Sequence, residues 1–311
     1  MSEQGLANLG GTCAINSLIQ MLYRQEKFRT IILNSNAEEG TITNELKDLF
    51  NVLNNNKSIN PNRFITKFYD IFSNNFNKYE ENDICEIYLI LIEKIHNELS
   101  YDYIINDDNN NLINKIAKFN NNKYSSIYDL LQGIYIHAIK CLKCNYINNT
   151  FEPFIYINLN INGFNSISNL INNQYFSNNN ELRNKDTWKC DNCNCNSDYI
   201  KATSIIKLPK IIFISLNRFK EIVTKNVEPV SIDKKLIFNN QNKYNLHSIA
   251  FHHGNLNGGH YNAICKINEN DNENEDKFNI YDDLNVCFIN NIDAILNNNS
   301  NCYLISYYYI D

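Results

Sequence analysis

A chain of 311 residues that is 43% hydrophobic has room for one large domain or two small ones and enough apolar material for a substantial core, which excludes a disordered polymer. A net charge of -6 argues against a nucleic-acid partner, whose surface would gather Lys and Arg, and favours a basic one. No charged n-region followed by an apolar core opens the sequence and no apolar run approaches the ~18 residues that span a bilayer, so no membrane partner is expected, and the protein reads as intracellular and cytoplasmic, with the nucleus left open.

The first element runs from Gly5 to Tyr23, GLANLGGTCAINSLIQMLY. From Ala14 on, Ile15, Leu18, Ile19 and Leu22 recur at the spacing of an amphipathic helix with one buried face. Cys13 therefore stands at a helix N-terminus, where orphan N–H groups and the helix dipole favour a thiolate. A cysteine beside a helix is more often a small buried hydrophobe, so Cys13 needs a base elsewhere in the chain before it reads as a nucleophile.

Helical spacing continues through Ile42, Leu46, Leu49, Phe50 and Leu53, then through Phe64, Phe68 and Phe72 after Pro61. The strongest stripe, Ile84, Ile87, Tyr88, Leu91, Ile92, Ile95 and Leu99, predicts a helix from about Asp83 to Leu99, with Asp83 and Glu86 placed as a capping pair. From about Tyr124 the pattern shifts to short runs rich in Ile, Tyr and Phe. Strands are expected over 134–139, 151–161, 199–206, 211–219, 244–251, 260–267, 277–281 and 303–309. Strands after a helical block give an α+β class with largely antiparallel sheet, and no linker cuts the chain. The Asn runs, such as 54–56, 109–111 and 297–299, read as solvated loops, and 268–276 reads as a hairpin tip.

Without a secretory context, ten cysteines are thiols, metal ligands or a nucleophile before they are disulfides. Cys141 with Cys144 and Cys190 with Cys193 form two CxxC knuckles, the ligand spacing of a zinc site. Cys195 offers a third thiol for the second pair, which the CxxC spacing assigns to Cys190 and Cys193. Four thiolates leave Zn2+ no open position, so the site is expected to be structural.

Near the far end, FHHGNLNGGHYNAICKI places His260 directly after Gly258 and Gly259, glycines that suit a loop lying against an extended peptide. Tyr281-Asp282-Asp283 follows at the end of the next expected strand. Antiparallel pairing of these strands sets Asp282 beside His260 and completes a Cys, His, Asp order for nucleophilic catalysis. His252 and His253 compete for the role of base, and Asp283 for that of its orienter.

Together these residues resemble the ubiquitin-specific proteases, deubiquitinating enzymes of papain-like fold with a helical thumb, an antiparallel palm and zinc-bearing fingers. Residues 5–17 are similar to the family's cysteine box, 252–261 with 281–283 to its histidine box, 208–219 to a palm strand, and 82–87 to its QDAxEF segment. The resemblance covers nearly the whole chain and implies one catalytic domain over 1–311, with thumb over about 1–125, mainly fingers over about 126–206 and mainly palm over about 207–311. It implies that Cys13 is the nucleophile, His260 the base and acid, Asp282 its orienter and Asn8 the oxyanion donor. Asp83 and Glu86 would meet the basic tail of ubiquitin, with capping an equal alternative, and Gly258 and Gly259 would line the channel for its last glycines. Ala14 stands where the family usually has an aromatic residue, Gly11 where Asn is common, and Ile87 where Phe is expected. The expected activity is thiol-dependent hydrolysis of the bond after the C-terminal glycine of ubiquitin, by a monomer acting on ubiquitinated proteins. The alternatives are a ubiquitin-binding scaffold without activity and a protease for a ubiquitin-like modifier.

Overall fold

The computed structural model describes residues 4–55, 59–78, 80–103, 112–161, 163, 166–176, 182–219, 224–238, 241–255, 258–267 and 276–310. The expected loop at 109–111 and the hairpin tip, apart from Asp276, lie outside the described residues.

The chain opens with helices α1 (Cys13–Arg24), α2 (Glu26–Leu33), α3 (Ile42–Asn54), α4 (Asn62–Ile71) and α5 (Ile84–Leu99). Strand β1 (Tyr101–Asp102), helix α6 (Leu112–Phe119), strand β2 (Lys123–Tyr124) and helix α7 (Ser126–Leu131) follow. Then come β3 (Gly133–Cys141), β4 (Ile147–Phe154), β5 (Ile157–Asn160), α8 (Ile167–Ile171) with a π-helical turn over Asn172–Phe176, β6 (Leu182–Lys189), β7 (Asn196–Lys207) and β8 (Ile211–Asn217). The chain closes with β9 (Lys235–Phe238), β10 (Asn242–Asn255), β11 (Gly258–Lys266), β12 (Phe278–Asp282), β13 (Asn285–Ile289), α9 (Asp293–Leu296) and β14 (Cys302–Ile310). Among the described residues no helix is long and apolar enough to cross a membrane.

The large sheet runs in the order β13-β12-β11-β10-β14-β8-β5, with β9 also on β10, and the smaller one runs β4-β3-β7-β6. The central strands of the large sheet, such as β8 and β14, are apolar on both faces because both faces are covered. Along β8, Ile211 and Phe213 join the core under the helices, while Ile212, Ile214 and Leu216 join a second core on the opposite face with α8 and Tyr307. The helical block thus sits on one side of the sheet that carries His260 and Asp282.

Helix α5 forms as its stripe predicts. Asp83 caps it by accepting from the N–H groups of Cys85 (2.7 Å) and Glu86 (3.1 Å), and Ile84, Ile87, Tyr88, Leu91, Ile92 and Ile95 are buried. Truncating Leu91 or Ile92 to Ala would cost about 2–5 kcal/mol, since each lies in a packed core.

Two expectations need correction. Helix α1 does not bury one face; all its residues are buried, because it is enclosed between other helices and strands β10, β11 and β12. Its polar residues find partners there, as when Gln20 donates to the Gln4 carbonyl at 2.8 Å. The apolar run 151–161 is also not one strand. It breaks at Ile155 and Tyr156, so that β4 ends in the small sheet while β5 joins the large one, parallel to β8.

Candidate active site

The loop before α1 is built by one side chain. Asn8 Oδ1 accepts from the N–H groups of Gly10 (3.0 Å) and Thr12 (3.3 Å) and from the Thr12 hydroxyl (3.2 Å), whose oxygen accepts in turn from Leu9 N–H at 3.0 Å. Gly10 and Gly11 turn the chain with φ of +93° and +67°. The left-handed region at Gly11 is one that Asn enters more readily than most residues, so an Asn at this position would be compatible with the same turn. Thr12 spends its hydroxyl inside the loop and makes no side-chain cap to α1. Cys13 then begins α1 with its backbone N–H among the orphan donors of a helix start, and Ala14 beside it is fully enclosed.

The Cys13 thiol departs from the sequence expectation. Its pKa is raised, first by burial (4% exposed) and further by the carboxylates of Asp283 and Glu81, while hydrogen bonds from the N–H groups of Tyr261 and Ala14 pull it down. The dipole argument counts only the helix, and here desolvation wins over it. Cys13 therefore rests as a thiol and depends on a base to lose its proton. The Tyr261 contact sets strand β11, immediately after His260, against the sulfur.

Strands β11 and β12 pair antiparallel with Ala263 opposite Tyr281, so His260 and Asp282 stand diagonally at the open end of the pair. His260 Nε2 lies 2.5 Å from Asp282 Oδ1. With Nε2–H donated to the carboxylate, neutral imidazole keeps Nδ1 bare, which is the tautomer a general base requires. Neither competing histidine matches this. His252 is buried among the rings of Phe219, Tyr261 and Tyr303, with its pKa lowered to about 4 first by burial and then by Lys225. His253 is exposed, with Nδ1 3.4 Å from the Asn301 amide.

Asp283 is not the imidazole's hydrogen-bond partner, although one of its carboxylate oxygens lies within 4.8 Å of a His260 ring nitrogen. It adopts φ +51° and turns its carboxylate to the helix side, taking Asn8 Nδ2 on one oxygen (2.9 Å) and Asn16 Nδ2 on the other (2.8 Å). Its carbonyl accepts from Leu6 N–H at 2.9 Å, and Gly5 packs so closely that a Cβ there would overlap the Asp283 carbonyl. The Asn8 amide keeps one hydrogen for another acceptor. This bridge was not legible in sequence, and its only mark was a second Asp directly after the first.

The family model for ubiquitin carboxyl-terminal hydrolase matches residues 4–307. The chain belongs to that family. It is similar to ubiquitin carboxyl-terminal hydrolase 2 of Bos taurus and of Homo sapiens, 26% identical to each over 305 residues, covering 85% of this chain and 50% of each relative. Ubiquitin carboxyl-terminal hydrolase 12 of Salmo salar is 27% identical over 295 residues, covering 85% of this chain and 78% of that protein. The chain thus spans about half the length of the mammalian relatives. Among solved structures, it resembles the SAGA DUB module of Ubp8, Sgf11, Sus1 and Sgf73 bound to monoubiquitin, with TM-score 0.77, 22% identity and coverage of 99% of this chain and 69% of that one. The same module bound to ubiquitin aldehyde gives TM-score 0.76 at 20% identity, covering 99% and 70%.

In this chain the two CxxC segments are copies of one turn. In the first, Cys141 N–H donates to the Tyr146 carbonyl (2.9 Å) and Asn145, at φ +60°, donates to the Cys141 carbonyl (2.9 Å). In the second, Cys190 N–H donates to the Cys195 carbonyl (3.0 Å) and Asn194, at φ +53°, donates to the Cys190 carbonyl (2.9 Å). Cys195 therefore holds the place of Tyr146, closing the turn through its backbone. The sulfurs of Cys141, Cys144, Cys190 and Cys193 all lie within 4.8 Å of one another, with Cys144 and Cys190 3.6 Å apart. Tetrahedral Zn–S bonds of ~2.3 Å set sulfurs about 3.8 Å apart, so this set fits such an ion.

The residues expected to hold substrate divide. Asp83 is occupied as a cap, and its other oxygen takes the Tyr303 hydroxyl. Glu86 is exposed and lines a groove of about 800 Å³ between α5 and strands β3, β4 and β5, with Glu93, Glu152, Tyr135 and Tyr156. Among the described residues this lining carries three carboxylates and no Lys or Arg. Gly259 lies where a Cβ would fall on His252 Nε2, whereas one on Gly258 would meet nothing nearer than Glu81 at 4.0 Å. The need for glycine at 259 therefore comes from the chain's own packing.

Proposed function

We propose that this protein is a deubiquitinase that hydrolyses the bond after the C-terminal glycine of ubiquitin. The single observation that carries the reading is the His260–Asp282 bond on the strand whose next residue, Tyr261, gives its N–H to the Cys13 sulfur, in a chain of the ubiquitin carboxyl-terminal hydrolase family. His260 Nδ1 takes the Cys13 proton, and the thiolate attacks the carbonyl carbon of the glycine. The oxyanion is met by the free hydrogen of the Asn8 amide and the Cys13 N–H, each such donor being worth about 3 kcal/mol in the transition state. The imidazolium gives its proton to the departing amine as the C–N bond breaks. Water, deprotonated by the same imidazole, then cleaves the thioester and returns the thiol. Asp282 holds the tautomer throughout.

The groove bearing Glu86, Glu93 and Glu152 is the proposed seat for the folded body of ubiquitin, on the ground that its lining carries three carboxylates, one of them bonded to His137, and no Lys or Arg, which suits a basic partner. Cys141, Cys144, Cys190 and Cys193 are proposed to hold one zinc ion. With four thiolates, that ion fastens the end of β3 to the β6–β7 turn and takes no part in the reaction.

A ubiquitin C-terminal electrophile tests the reading. Wild-type protein should be labelled and Cys13→Ala should not. Reduced, zinc-loaded protein that fails to hydrolyse a ubiquitin–fluorophore substrate would sink the proposal.

A further inference from the structure

Glu81 lies in the loop leading into α5, and its carboxylate accepts a hydrogen bond from the backbone N–H of Gly259, the residue before His260. The bond runs from the helical side of the cleft to the sheet side. The same carboxylate is close enough to Cys13 to disfavour its thiolate, and it is also the nearest group to the open side of Gly258. Glu81 thus stands among the nucleophile and both glycines.

The donor it occupies has another use. In the β10–β11 ladder Gly259 faces Gly254, but its N–H goes outward to Glu81. An extended chain laid along β11 takes such an outward donor with its own carbonyl, the usual manner of strand addition. Glu81 fills that place in the free protein. Asp83 does not share the task, since both its oxygens are engaged by α5 and Tyr303.

We propose that Glu81 is a latch that determines what enters the cleft. It holds Gly259 and sets a negative charge near Cys13 while the site is empty. It is displaced by an extended tail that gives a main-chain carbonyl to Gly259 and a cationic side chain to Glu81. The identity of that tail rests on the deubiquitinase reading, whereas the latch itself does not.

Alkylation of Cys13 by iodoacetamide without ubiquitin, followed by peptide mass spectrometry from pH 6 to 10, separates charge from access. The pH midpoint reports ionisation, and the limiting rate at high pH reports access. Glu81→Gln keeps an acceptor for Gly259 but no charge, so its midpoint falls by about half a unit, roughly a 3-fold gain in thiolate near neutral pH. Glu81→Ala lowers the midpoint similarly and also raises the limiting rate several-fold. Glu80→Gln removes the same charge one residue away and behaves as wild type. A wild-type midpoint and limiting rate in Glu81→Ala would overturn the latch, as would an equal shift in Glu80→Gln. The cationic part is read from ubiquitin–fluorophore hydrolysis, where Glu81→Gln raises KM several-fold. An unchanged KM overturns that part, and absence of turnover by wild-type protein overturns it together with the deubiquitinase reading, while the alkylation result still decides the latch.

Discussion

Asp283 accepts a hydrogen bond from Asn8 at 2.9 Å, joining residues 275 positions apart in the chain. Its other oxygen holds Asn16, so one carboxylate fixes the proposed oxyanion donor and the first turns of the nucleophile's helix to the strand that carries Asp282.

Asp283→Ala should therefore lower kcat by roughly 10- to 100-fold with little change in KM, because it loosens a group whose own loss costs about 100-fold or more. Asp283→Asn keeps one acceptor oxygen and should recover part of the loss. It should also lower the pH midpoint of Cys13 alkylation, since the Asp283 charge is one of the causes that raise that thiol. Steady-state kinetics with a ubiquitin–fluorophore substrate, alongside thermal unfolding, would check this. A pure loss of stability with unchanged kcat would contradict it.

The paired glycines should respond differently to the same substitution. Gly259→Ala places a methyl on the His252 ring and the His253 carbonyl, so either the ring or the strand must move, at a cost on the order of 1–3 kcal/mol and with loss of activity. Gly258→Ala meets nothing closer than 4.0 Å and should fold normally. Melting temperatures of the two variants decide the matter.

The matched turns separate Cys193 from Cys195. Cys195→Ser should retain one zinc per chain, because its contribution is a backbone carbonyl. Cys193→Ser and Cys141→Ser should lose the metal and destabilise the small sheet. Elemental analysis of the purified variants gives the answer, and equal zinc loss in Cys195→Ser would refute the assignment.

Three buried histidines make stability depend on pH. Burial lowers His247 to about 3 and His96 and His252 to about 4. Each folded pKa lies below the unfolded value of about 6.5, so the unfolded chain binds the proton more readily. Their stabilising contribution is intact above about pH 6.5 and is lost as the pH falls towards 4. For each histidine about 2 kcal/mol is lost by pH 5, at 1.36 kcal/mol per unit. Urea midpoints at pH 7 and pH 5 should differ accordingly, and His96→Gln should flatten the slope.

The helix start at Cys13, the pairing of His260 with Asp282 and the gathering of the four knuckle cysteines were legible because each sits in a spaced pattern that local chemistry explains. Asp283 was not, since its role depends on a turn that gives its carboxylate to Asn8 and Asn16. The thiol was misjudged for a related reason. A helix start is visible in sequence, whereas burial and the approach of Asp283 and Glu81 are tertiary facts. Likewise, α1 showed one apolar stripe, and only folding revealed partners for Asn16 and Gln20 on its other faces. The break at Ile155 was hidden because an apolar run gives no sign of passing from one sheet to another.

That crossing determines how stiff the groove is. Only Ile155 and Tyr156 separate β4 from β5, and the Tyr88 hydroxyl on α5 grips the Ile155 carbonyl at 3.1 Å. The return from β7 to β8 is nearly as short, and the Pro209 carbonyl within it holds the Tyr244 hydroxyl at 2.7 Å. With so little slack in either strap, and each tied by a tyrosine hydroxyl, the range over which the two walls can part is restricted. For the folded guest proposed for this groove, part of the entropy of arranging the walls is then lost in folding and less of it remains to oppose binding.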